Sequence, residues 1–461
     1  MLKDKSTQYI VVLYLLLFVI KVLYVYSADL MLPDTWELWD FKKHVNWGNF
    51  PFELIPYFLC GGLVVNTLKK DNAYGFFSLV FFLIYFLPNN SILSLSQANV
   101  FLYIQETIFS LLIFYLIFLY SSNVQQISNN ISLKSLAKNQ KFSRIMTFLT
   151  IFVCLILIYQ VYSYNHFNFN LDLTAMYEVR GERAEYMEGI QDSALSYVLM
   201  IVSSTCSWLI LVCLYYSIVS KKYLELSLCV ITMLLQFTVS MEKSTLFVML
   251  IVLFVVIFER RNKIKNLHIY FASTILVLFL ICFYEYYSTG YSFVYYLIVR
   301  RTFYMPSYLT QVYYEYFSVN PKMWLTQDVL FIRNIARLII PSSYEFGIVQ
   351  TISNACYQGL IPSPNNGLFS EAYAQLGLLG TFVFPYVYCS IIKLFKKYAS
   401  VFGTGVACML LFKLVLTMLS VPILRSGSMI GLICFFFIAH YIQLKCKQRN
   451  EYRTKNKLSV K

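Results

Sequence analysis

The sequence predicts an all-α, polytopic integral membrane fold with about twelve transmembrane helices and both termini cytoplasmic. Three observations lead there. Apolar residues make up 59% of the 461 and charged residues 13%, about half the share of an average soluble domain and too little to cover a water-facing globule. The apolar residues gather in runs of roughly 17 to 25, the length a helix needs to cross a bilayer. With the N-terminus inside, 24 of the 37 Lys and Arg fall in inward segments and 11 in outward loops, while the acidic residues lean outward. The net charge of +14 is thereby a topology signal rather than a nucleic-acid footprint, and no nucleic-acid partner is expected. Only 16 Gly and 11 Pro, with long apolar runs, exclude disordered and collagen-like chains.

In chain order, spans are expected over 8–26, 51–67, 73–88, 98–120, 145–164, 194–219, 223–241, 244–258, 268–287, 371–392, 399–421 and 427–444. The first carries Lys21 and no small-residue cleavage site follows it, so it reads as a retained span. The whole of 1–461 reads as one membrane domain with a basic cytoplasmic tail over 445–461. Away from the span ends the ionisable residues are Lys21, Glu106 and Lys413, few for an ion-driven transporter. Of the 11 Cys only Cys356 falls in an outward loop, so the cysteines read as packing residues and not as a disulfide framework.

The inward loops are short and Lys-rich, with no Gly-rich phosphate loop and no dinucleotide fingerprint. The unusual chemistry lies outward, in loop one (27–50), loop three (165–193) and loop five (288–370). Placed on a helix, loop three gathers Glu178, Glu182 and Glu185 into one stripe with Arg180 and Arg183 nearly opposite, two guanidinium forks left to meet an anion. The bland alternative is a surface helix paired with its neighbours. Loop five opens on Arg300 and Arg301 and continues through a dense aromatic run, Tyr304 to Phe317, suited to an interface belt or to sugar stacking. The segment 331–341 puts Arg333 and Arg337 on one face and apolar residues on the other, the pattern of a helix lying in the headgroup plane. Seven Arg and four Lys are outward, and Arg suits bidentate phosphate contacts. Loop five ends in a polar turn, Ser363 to Gly367 with Asn366 in it, then Glu371 and Tyr373 at the start of the tenth span. Glu371 there is either a partner for the helix dipole or a functional carboxylate.

The stretch Asn365 to Gly380, the Tyr177-Glu178-Val179-Arg180 run after the fifth span, and the layout of Arg-bearing third and fifth external loops resemble the Wzy-type O-antigen and oligosaccharide repeat-unit polymerases. Two features depart from that family. Its Arg-x10-Gly spacing is not met at Arg180 to Gly189 or at Arg337 to Gly347, and Asn365 stands where the related ligases carry His, which disfavours the ligase reading. The resemblance implies a glycosyltransferase on the outer face of the bacterial cytoplasmic membrane, in O-antigen or capsular polysaccharide synthesis. Its substrates are undecaprenyl-diphosphate-linked oligosaccharides, its further partners the bilayer and a chain-length regulator membrane protein. Neither cofactor nor metal is expected. An acceptor hydroxyl attacks the donor's anomeric carbon and the lipid diphosphate leaves. The catalytic candidates are then Glu371, Arg180 and Arg183, and the substrate-binding candidates Arg333, Arg337, Arg300, Arg301, Tyr373 and Asn366. Two alternatives stay open: another polyprenyl-linked glycosyltransferase using the loop-one carboxylates Asp34, Glu37 and Asp40, and a non-enzymatic lipid-linked oligosaccharide flippase.

Overall fold

Backbone groups inside a bilayer find no water, so each span must satisfy them within itself, and the chain answers with helices. The computed structural model describes residues 5–33, 35–36, 41–122, 140–165, 194–240, 243–261, 266–327, 330–359, 361, 364–423 and 429–441. Apart from a two-residue antiparallel ladder, Thr35–Trp36 with Phe41–Lys42, the described elements are helical. Among the described residues, nine long helices precede the large loop over 288–370, besides short turns at Trp47–Asn49 and Ile92–Leu95: α1 (Lys5–Met31), α2 (Phe50–Lys70), α3 (Asn72–Asn90), α4 (Val100–Ser122), α5 (Gln140–Asn165), α6 (Ala194–Ser220), α7 (Tyr223–Ser240), α8 (Lys243–Arg260) and α9 (Leu267–Thr289). The loop itself holds α10 (Met305–Val319), continued backwards by a π-helical stretch Tyr295–Tyr304, then α11 (Leu330–Ile339) and α12 (Ile348–Tyr357). The chain continues as α13 (Phe369–Leu376), α14 (Leu378–Ala399), α15 (Thr404–Ser420) and α16 (Met429–Tyr441).

Among the described residues, eight helices are long and apolar enough to cross a membrane: α1 to α6, α9 and α14. Shorter apolar helices stand at the positions of α7, α8, α15 and α16. The chain is therefore an all-helical, multi-pass membrane protein by length and composition.

The stretch expected as one span over 371–392 is two helices. Gly377, with φ +59°, turns the backbone between α13 and α14, a conformation that costs glycine little. Gly380 packs directly against the carbonyl of Ala372, where a Cβ would collide. The Leu-Gly-Leu-Leu-Gly run that reads as span interior is in fact the break.

The chain divides into two compact units. One comprises Met1–Val124, Asn262–Ser390 and Leu414–Arg425, the other Gln125–Arg261, Ile391–Lys413 and Ser426–Lys461. In the first, α3 is the centre: 94% of its span is buried, against 39% for α1. Asp71 caps it, its Oδ1 accepting the N–H groups of Ala73 and Tyr74 at 2.9 Å. Lys69 and Lys70, in the last turn of α2, complement that helix's dipole. A π-helical turn at Phe82–Phe86 sits just ahead of Pro88, whose missing N–H interrupts a regular ladder. Many aromatic rings are spent here rather than at an interface: Phe81 stacks on Tyr85 at 4.8 Å, and Phe86 meets Phe114 edge-on at 5.6 Å.

One polar knot pins this unit. The Lys21 ammonium donates to Glu53 Oε2 (2.9 Å), Asn90 Oδ1 (2.8 Å) and Ser91 Oγ (3.0 Å), which uses all three of its protons. Glu53 Oε1 accepts the Ser94 N–H at 2.8 Å. Both charged side chains are 0% exposed. This ties α1 to α2 and α3 where apolar packing alone sets no register.

In the second unit α6 packs on α5, α7 and α8. Thr147 and Lys222 both bond Glu225, joining α5 to α7. The Lys413 ammonium lies over the Trp208 ring at 4.6 Å and donates to the Ser207 carbonyl. Cys154 and Cys229 face each other with sulfurs 4.0 Å apart, and both thiols are free.

Candidate functional site

The polar turn that closes the large loop is built from the inside. Asn366 is buried, and the two protons of its amide Nδ2 are shared among the Pro306 carbonyl (3.0 Å), Thr310 Oγ1 (3.0 Å) and Ser370 Oγ (2.9 Å). Tyr313 donates its hydroxyl to the Pro364 carbonyl at 2.7 Å. The turn is therefore bolted to α10. Its other wall is the C-terminal end of α15. The Gly367 N–H bonds the Leu419 carbonyl at 3.2 Å, and a Cβ on Gly367 would run into the Met418 carbonyl. Leu368 then takes φ +53°, a left-handed conformation that is strained for a branched side chain.

This strained entry delivers Glu371 into the packed interior. Its carboxylate is fully buried. Oε2 accepts the Tyr388 hydroxyl at 2.5 Å and the Ile423 backbone N–H at 3.0 Å. Glu371 thus joins the first turn of α13 to α14 and to the chain beyond α15. The sequence places this acid at a helix start on the outer surface; the structure places it inside the protein with its strong acceptor oxygen in use. Tyr373 is likewise buried, stacked on Tyr314 at 4.5 Å and on Phe369 at 5.8 Å, with the Lys322 ammonium 4.9 Å over its ring. Burial holds the Lys322 ammonium below the ordinary lysine range.

A strap stitches α11 to α13. Met323 and Trp324 donate their N–H groups to the carbonyls of Ala374 and Gln375 at 2.9 Å, and the Leu325 N–H meets Gln375 Oε1 at 2.7 Å. Trp324 and Leu325 hold φ of +52° and +62° to do so, two strained residues in succession. Arg337 then binds the far end of the strap. Its Nε donates to the Thr326 carbonyl at 2.8 Å and a terminal nitrogen to Gln327 Oε1 at 2.6 Å. Arg333 lies on the same face one turn earlier, half-buried, its Nε without a hydrogen-bond partner among the described residues. Opposite them on α11 stand Ile335, Leu338 and Ile339, which are 59%, 87% and 76% exposed.

Arg300 and Arg301 belong to the π-helical stretch ahead of α10. The Arg300 guanidinium is buried and stacks on the Tyr296 ring at 3.4 Å. Burial lowers its pKa, and a hydrogen bond to Tyr296 opposes that shift. Arg301 is half-buried. The structure therefore brings Asn366, Glu371 and Tyr373 together on one turn and joins Arg337 to the same assembly through the strap, while Arg300 is held by its own helix. Arg180 and Arg183 lie outside the described residues, as do Asp34, Glu37 and Asp40.

Sequence reasoning missed Gln375, Trp324 and Lys322 as organisers of the turn, and Glu53 as the partner of Lys21. Trp324 and Leu325 left no signal, since no glycine marks their positive φ. No protein-family model matches the chain, and neither a curated protein nor a solved structure matches it.

Proposed function

We propose that this chain is a glycosyltransferase that joins lipid-diphosphate-linked oligosaccharide repeat units on the outer face of the bacterial cytoplasmic membrane, a polymerase of the Wzy type. The observation that carries the reading is α11. It exposes a large apolar face, Ile335, Leu338 and Ile339, on the side opposite two arginines four residues apart. Such a helix lies in the headgroup layer with its apolar face in the acyl boundary, which sets Arg333 and Arg337 at the depth of a lipid diphosphate. Arginine forks suit that group because they stay charged and bind two oxygens at once. Arg337 is pre-oriented by Thr326 and Gln327, so little ordering remains on binding. Arg333, half-buried one turn away on the same face, supplies the second guanidinium.

In this reading the arginines stabilise the diphosphate as it leaves, and Arg180 and Arg183 from loop three complete the cluster. The buried turn of Asn366, Glu371 and Tyr373 holds the outward loop to the membrane helices. The layout fits twelve spans, with the four shorter apolar helices completing the crossings and both termini cytoplasmic. Reporter fusions placed after residues 180 and 330 should then report the outside; a cytoplasmic signal from either sinks this topology.

The function itself is tested by deletion and glycan electrophoresis. Loss of a polymerase leaves one repeat unit on each anchor, whereas loss of a flippase leaves none. Complementation with Arg183→Lys should give short or absent ladders at normal protein level, because an ammonium cannot make the bidentate contact. Full-length ladders from Arg183→Lys and Arg337→Lys alike would remove the diphosphate role.

A further inference from the structure

Unit one holds two carboxyl groups buried in the same seam of α2, α3 and α4, and their surroundings are opposite. Glu53 has the Lys21 ammonium and the Ser94 N–H. Glu106, on α4, is 2% exposed; among the described residues its one hydrogen bond of normal length is neutral, from the Ser110 hydroxyl to Oε1 at 2.8 Å, and the Tyr85 hydroxyl is a weaker neighbouring donor. Its Oε2 is buried with no hydrogen-bond partner among the described residues. No Lys, Arg or His forms an ion pair with it there.

The groups that face Glu106 are all neutral or acidic. Cys60 faces it from α2, Tyr85 from α3, and Tyr103 from its own helix. Behind Tyr85 stands Tyr388 of α14, the residue that donates to Glu371. The Tyr85 hydroxyl is itself buried without a hydrogen bond of normal length. Tyr103 is engaged by Asn90 at 3.2 Å on the side of the Lys21 knot, and Glu53, whose charge Lys21 already balances, lies beyond it. An ionised carboxylate here would be a buried charge with the Ser110 hydroxyl and at most the Tyr85 hydroxyl to solvate it, a strongly unfavourable arrangement in a protein interior. A proton on Oε2 removes that charge and supplies the donor that the site lacks.

We propose that Glu106 is a proton-binding site inside the membrane-spanning part of this unit, with Oε2 carrying the proton and the Tyr85 hydroxyl as its polar neighbour. The ligand is a single proton, taken up from water by the carboxylate and returned as water or a cation reaches the seam; no other bond forms or breaks. The site is independent of the glycan chemistry, since it uses none of the residues assigned to the diphosphate. It gives the unit a proton-linked state that the charge-balanced Glu53 cannot supply.

Infrared spectroscopy of the full chain in lipid nanodiscs tests this directly. A protonated carboxyl absorbs apart from both the amide and the carboxylate bands. Wild type at neutral pH should show that band, and Glu106→Gln should lose it while keeping wild-type thermal stability, because Gln has the shape and neutrality of the acid form. Raising the pH should bleach the wild-type band. A neutral-pH spectrum in which the acid band is missing, or is the same in Glu106→Gln as in wild type, overturns the proposal. Should the Gln variant fail to accumulate, Tyr85→Phe makes the assignment. Losing the neighbouring hydroxyl should shift the acid band, and an unshifted band overturns the proposal equally.

Discussion

Lys21→Ala should be among the most damaging single substitutions in the chain, costing about 3–5 kcal/mol, the usual penalty for removing one partner of a buried ion pair. The reason is what it leaves behind. Glu53 would keep its Ser94 N–H but lose the Lys21 ammonium that balances it, and Asn90 and Ser91 would lose the donor they share. Removing both charges is a different matter. Lys21→Met with Glu53→Leu replaces the knot with apolar side chains of similar volume, an exchange that is often neutral or stabilising. The expected result is therefore non-additive: either single variant unfolds early in a thermal melt, and the double variant recovers most of the loss. Equal melting of Lys21→Ala and wild type would falsify the assignment of this pair as the pin of α1 to α2 and α3.

That pair also marks where sequence reading stops. Lys21 is conspicuous as a charge in an apolar run, but Glu53 lies 32 residues away and Asn90 lies 69 away, and no local pattern links them. Glu53 reads as an acid at a loop end because it opens α2. The helices themselves were legible, since a run of apolar residues near bilayer thickness has no other stable answer. So was the amphipathic α11, because its arginines repeat at the period of a helix. The strap that orients Arg337 was not, because Trp324 and Leu325 adopt positive φ without a glycine to announce it. Gly377 misled for the converse reason. In an apolar window a glycine is common within spans, and only the packing of Gly380 against Ala372 turns this one into a break.

Glu371 separates two roles that the sequence left side by side. A general base must reach the attacking hydroxyl, and replacing it by Gln removes roughly 10²–10⁴-fold in rate. The observed carboxylate is fully buried and spends one oxygen, Oε2, on both the Tyr388 hydroxyl and the Ile423 N–H. A Gln carbonyl oxygen in that position has two lone pairs and accepts both. On the proposed polymerase reading, Glu371→Gln should therefore assemble normally and polymerise lipid-linked repeat units within a few-fold of wild type. Glu371→Ala should behave quite differently. It leaves the buried Ile423 N–H without its acceptor and the Tyr388 hydroxyl with the longer contact to the Leu368 carbonyl at 3.3 Å, so a loss of at least about 1–3 kcal/mol is expected. It also frees the strained Leu368 entry that sets the first turn of α13. The measurement is polymerisation in membranes with protein level and thermal midpoint taken on the same samples. A Gln variant that is as stable as wild type but slower by a hundredfold or more would return Glu371 to the chemistry. Activity that follows stability, kept in Gln and lost in Ala, makes it the tie that holds the large loop to the membrane helices.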